Sequence, residues 1–265
     1  MRWNGIDCRR DFEGVRDENM FDSITVYVLV IVFFATLIRS VLGFGEALVA
    51  VPLLAVRLPI TVAAPLVVLV SIVIAGVIVI QDWRHVQLRS ATGLLVASMP
   101  GIPLGVLLLA KGNDHVVKSF LGLLIIGFSI YSLSARNTLH LREDNLGWLL
   151  SCGFLSGVLG GAYGMNGPPL AIYGALRGWS PRHFRATLQG YFLPASFVGL
   201  IGYVASGLYR PVIARYFFLS LPLVAVAVLI GRSINQRMRE QKFTWFVYLG
   251  LIVVGGVLIF QAIPS

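Results

Sequence analysis

Charge is what this sequence has least of. Asp, Glu, Lys and Arg make up 12% of its 265 residues, against roughly 25% in soluble domains. That scarcity, with 57% hydrophobic residues and a mean hydropathy of +0.83, excludes an ordinary soluble fold and leaves a polytopic membrane protein. Cysteine is nearly missing: Cys8 stands in a polar tail and Cys152 in an apolar run, so there is no disulfide framework and no metal-ligand spacing. Histidine is sparse too. His85, His115, His140 and His183 are scattered, which argues against a metal centre, and no cofactor is expected. There is no phosphate-binding glycine loop ending in lysine and no loop large enough for a soluble domain, which excludes a self-contained ATP-driven pump. The net charge of +9 would suggest nucleic acid in a soluble chain. Here loop arginines and lysines facing anionic headgroups account for it, and no nucleic-acid partner is expected.

What is present is apolar sequence in long runs. Residues 1–23 read as a polar tail of mixed charge. Its acids are wrong for a secretory leader, and no small-residue cleavage site follows the first apolar run. Apolar runs then cover Ile24–Val41, Ile60–Ile80, Ala91–Ala110, Val116–Ser134, Leu146–Leu159, Thr187–Gly207, Val212–Ile230 and Thr244–Ile263. Most approach the 20 residues or so that a helix needs to cross the hydrocarbon. Trp83, Trp148, Trp179 and Trp245 lie near run ends, where aromatic belts form. The expected fold is an all-α polytopic membrane protein of about eight hydrophobic helices. They divide into two similar four-helix halves, a first repeat over residues 24–134 and a second over 147–265, joined by a loop over 135–146. Sliding one half on the other by about 120 residues superposes two glycine- and proline-rich breaks. The basic residues split evenly between the two faces, so the positive-inside rule fixes no orientation.

Those breaks are the informative stretches: Gly43-Phe44-Gly45-Glu46 leading to Pro52, and Gly160-Gly161-Ala162-Tyr163-Gly164-Met165-Asn166-Gly167-Pro168-Pro169. Non-helical backbone at membrane depth is tolerated only where it is buried or lines a wet cavity. Paired breaks in corresponding places point to a transport site. In the second break, Asn166 is expected to cap a helix begun by Pro168 and Pro169, with Gly167 between them. The tip of such a helix attracts anions. The competing reading is close packing, since Gly153, Gly157 and Gly161 are spaced four apart. In the first break, Arg39 is placed to hold an anion, and Gly45 and Glu46 lie beside it. An ionisable side chain in a span costs about 3 kcal/mol on insertion scales, so it is a functional candidate by default. Glu46 is placed to accept a coupling proton; the alternative is that both charges sit at the membrane interface, where charge is cheap, or simply neutralise each other. Arg185 and Gln189 are four apart on one helix face, and Gln189 needs a polar partner. Tyr173 either lines the path or packs.

Together these segments carry a resemblance. Gly43-Phe44-Gly45 with Pro52, the GVLGGAYGMNGPPL run from Gly157, and the FRATLQGYFL run from Phe184 resemble the sulfite exporter TauE/SafE permeases over nearly the whole chain after residue 23. The resemblance implies a multi-pass permease of the plasma membrane, built by duplication, that moves small sulfur-containing or organic anions. A secondary anion transporter working by alternating access is therefore the expected function, with the bilayer, a small anion and a coupling proton or cation as partners, and with a homo-oligomer allowed. A non-transporting assembly or accessory subunit is the alternative. An intramembrane enzyme has little support: Ser151, Ser156 and Cys152 offer nucleophiles, but no histidine falls within an apolar run.

Overall fold

The computed structural model describes residues 22–82, 86–134, 145–179 and 181–235, with Ile252, Gly256 and Phe260. Most of the expected tail 1–23, most of the loop 135–146, Trp83, Trp245, and all but those three residues of the run Thr244–Ile263 lie outside them. Among the described residues all regular structure is helical: α1 Ser23–Leu42, α2 Glu46–Ala55, α3 Ile60–Asp82, α4 Leu88–Ser98, α5 Gly101–Lys111, α6 Asp114–Ser134, α7 Leu146–Tyr163, α8 Gly167–Leu176, α9 Pro181–Ala205 and α10 Pro211–Asn235. Among these, α1, α3, α7, α9 and α10 are long and apolar enough to cross a bilayer, and α4 with α5 makes a sixth if the bent pair is one span.

Local chemistry explains the boundaries. Asn145 caps α7 by accepting from the Gly147 N–H at 3.0 Å and the Trp148 N–H at 3.4 Å. Pro181 and Pro211 open α9 and α10, where the missing N–H costs nothing. Helix α9 therefore starts six residues before the apolar run expected at Thr187. The run Ala91–Ala110, expected as a single span, is bent by 45° between α4 and α5. Pro100 is the cause, because it withholds an N–H and its ring crowds the carbonyl four residues back.

Two long helices end alike. Gly43 and Gly164 close α1 and α7 in the left-handed region, at φ 84° and φ 68°, which glycine adopts without steric penalty. Each is followed, two residues on, by the residue that precedes a ten-residue helix, α2 or α8. Gly164 follows Gly43 by 121 positions. At 1.5 Å per residue, α1 and α7 are each about as long as the hydrocarbon is thick, and α2 and α8 about half that. The breaks therefore follow full-length helices instead of interrupting them.

Packing also occurs in matched pairs. Helix α1 packs along α10, α7 packs along α4 and α5, and α3 meets α9 at the centre. A Cβ added to Gly157 would lie 2.3 Å from the Ser98 carbonyl oxygen, and one on Gly161 would lie 2.2 Å from that of Ile102. The row Gly153, Gly157, Gly161 therefore serves close helix contact. Large apolar side chains such as Phe34, Leu123, Ile201, Phe218 and Leu229 point outward, as a lipid-facing surface requires.

Candidate functional site at the two breaks

Gly45, at φ 98°, precedes Glu46, the first residue of α2, and no side chain caps that helix. The amides of the opening turn are consequently left for something else to satisfy. Helix α8 starts at Gly167, one residue before the expected Pro168. This changes the role of Asn166. A capping side chain bonds the N–H of the second or third helical residue, and in α8 those residues are Pro168 and Pro169, which have none. The expected cap is therefore chemically impossible, and the Asn166 Oδ1 is buried without a hydrogen-bond partner. That oxygen occupies the space beside Gly160, where an added Cβ would come within 1.6 Å of it. Ser156 of α7 steadies the turn by donating to the Asn166 carbonyl at 2.8 Å.

Both helix starts face one small cavity. Gly45, Glu46, Ala47 and Leu48 line it from the first break, and Gly164, Met165, Asn166, Gly167 and Pro168 from the second. Arg39 of α1, Ser71 of α3 and Phe192 of α9 complete the wall. The volume is about 20 Å³, room for a water or two.

Arg39 is the hub. It is 3% exposed, and its guanidinium donates to the Glu46 carboxylate, to the Ser71 hydroxyl and, at 2.7 Å, to the Gln189 side-chain oxygen. It lies over the Phe192 ring, 5.1 Å from the centroid, a favourable cation–π position. Its Nε has no partner. Arg39 belongs to the last turn of α1 and Glu46 to the first turn of α2, so each charge complements its helix dipole. The sequence spacing of seven would place the pair on one face of a continuous helix. The helix instead ends at Leu42, and the turn through Gly43 and Gly45 brings the two side chains together.

The other candidates divide. Gln189 of α9 finds partners in the first break, accepting from Arg39 and donating to the Gly43 carbonyl at 2.6 Å. It thereby ties α9 to the end of α1. Arg185, one turn earlier, lays its aliphatic stem against Gly43, where an added Cβ would meet its Cγ at 3.0 Å; Arg185 is not among the residues lining the cavity. Tyr173 is fully buried in α8, edge-on to Trp179 at 5.6 Å, and is likewise set back. Ser71 and Phe192 were not singled out by sequence, since each is one residue in a long apolar helix. The signal that locates them is the spacing of the breaks: Phe192 follows Ser71 by 121 positions, the same interval that separates Gly43 from Gly164. By that interval Gly45 matches Asn166, Glu46 matches Gly167, and Arg39 matches Gly160.

A family model described as "Sulfite exporter TauE/SafE" matches residues 28–258. A curated relative from Cupriavidus necator (strain H16), "Probable sulfite/organosulfonate exporter TauE", is 22% identical over 235 residues, covering 87% of this chain and 91% of the relative. No solved structure gives a significant match.

Proposed function

Because the chain belongs to the sulfite exporter TauE/SafE family and is accordingly a multi-pass membrane transporter and not an enzyme, we propose that it carries small sulfur oxyanions or organosulfonates across the plasma membrane through the cavity between its two breaks. One observation carries this reading: two half-length helices start at a common cavity beside a buried arginine. The start of α2 presents backbone N–H groups, α8 adds that of Gly167 alone because Pro168 and Pro169 follow it, and both starts carry partial positive charge. Arginine adds planar donors matched to oxyanion geometry.

In this reading Arg39 binds the anion, and the Glu46, Ala47 and Gly167 amides hold its remaining oxygens. Gln189 and Phe192 orient the guanidinium. Asn166, its side-chain oxygen filling the hollow beside Gly160, shapes the opposite wall. An anion of four or more heavy atoms needs more room than a water or two, so the breaks part to admit it. The 121-position correspondence supports two repeats that rock against each other to alternate access.

The test is flux in liposomes containing the purified protein, with labelled sulfite and methanesulfonate. Wild-type protein moves one or both, and Arg39→Ala moves neither while still reaching the membrane and eluting as a folded species. Equal flux by that variant removes the cavity from consideration. An accessory subunit moves no anion by itself.

A further inference from the structure

The cavity holds one cation and one carboxylate: among the described residues that line it, Arg39 and Glu46 are the only charged side chains. Among the described residues, the other side chains that bond the pair or line the cavity with it do not titrate near neutral pH. Helix α3 contributes Ser71, α9 contributes Gln189 and Phe192, and the second break contributes Asn166. Resting on the reading above, we infer that each transport cycle moves one proton together with one singly charged anion, with no net charge crossing the membrane.

The argument is a count of charges under burial. With the cavity empty, Glu46 and Arg39 neutralise each other. An arriving anion needs the guanidinium that Glu46 occupies. Arginine stays charged in proteins, so with the anion bound an ionised Glu46 is a buried carboxylate without a counter-charge, and such states are strongly unfavourable. A proton taken from water on the loading side resolves this. It binds a Glu46 carboxylate oxygen as that oxygen leaves Arg39, and the anion takes the vacated donors. On the other side the anion departs, Glu46 releases its proton to water and closes again on Arg39. One guanidinium neutralises one negative charge, so the site favours monoanions, such as sulfonates and hydrogensulfite, over dianions.

Methanesulfonate is the probe, because it stays a monoanion at every working pH and any pH dependence then belongs to the protein. Proteoliposomes are given either a one-unit pH gradient, acid outside, or a potassium diffusion potential set with valinomycin. The expected result is that the pH gradient concentrates methanesulfonate about tenfold inside and the potential alone does nothing. Glu46→Gln, which carries no titratable proton, loses the pH-driven accumulation. Uptake by wild type that follows the potential and ignores the pH gradient overturns the inference and leaves the transport function standing. So does pH-driven accumulation by Glu46→Gln. Absence of any anion flux in wild type instead refutes the transporter reading on which the inference rests. The wild-type measurement decides the matter even if the variant fails to fold.

Discussion

Replacing the buried charge pair one member at a time, and then as a pair, separates what it does for the fold from what it does for transport. Arg39→Met leaves Glu46 buried with its partner gone and removes a donor from both Ser71 and Gln189. Glu46→Leu leaves the guanidinium with Ser71 and Gln189 alone. Removing one partner of a buried pair costs about 3–5 kcal/mol, whereas replacing both with apolar residues of similar volume is often neutral or stabilising. Each single variant should therefore lose about 10²–10⁴-fold in its folded-to-unfolded ratio, and the double variant should recover most of that. Heating in detergent followed by size-exclusion chromatography reads this as a lowered midpoint for each single variant and a near wild-type midpoint for the double. Liposome flux should be absent in the double variant all the same, because the guanidinium is gone. A double variant that transports sulfite or methanesulfonate at the wild-type rate would refute the role of Arg39 as the anion's ligand. Single variants as heat-resistant as wild type would refute the pair's buried, mutually dependent character.

Gly160→Ala places a methyl 1.6 Å from the Asn166 Oδ1, so the second break must shift; transport should fall at least tenfold with protein still recovered from the membrane, as flux and yield together report. Asn166→Ala empties the hollow beside Gly160 and should weaken anion uptake severalfold in the same assay. Gln189→Leu cuts the tie between α9 and the Gly43 carbonyl and leaves two buried polar groups with one partner fewer, a loss of about 1–3 kcal/mol that thermal midpoints should register. Gly157→Ala, at the tight contact with Ser98, should destabilise by about 1–3 kcal/mol. Gly76→Ala has nothing within 4 Å of the added carbon and should leave the midpoint unchanged or raised.

The breaks were legible in the sequence because glycine, proline and a polar residue inside apolar runs have no place in a plain span. The membrane class was legible from composition alone. The partnership of Arg39 with Glu46 was half legible: the need for a partner follows from the cost of a buried charge, but the turn that joins them depends on left-handed backbone at Gly43 and Gly45. Asn166 was found for a reason that fails. The pattern of Asn before Gly-Pro-Pro looks like a cap, and only the helix start at Gly167 reveals that both amides it would bond are prolines. Ser71 and Phe192 could not be picked out from their own helices, since what places them is the contact of α3 with α9. The bend at Pro100 was missed because an apolar run gives no hint of direction, although the proline itself was in view.

The pairing of Arg39 with Gly160 across the 121-position interval has a consequence of its own. A carrier whose two halves trade places visits two shapes, and identical halves would make those shapes equal in energy. Here both charges, Arg39 and Glu46, come from the first break, and the corresponding positions of the second are Gly160 and Gly167. In the proposed alternating-access carrier the two shapes would therefore differ in energy, and the idle protein would favour the one open to a single side of the membrane.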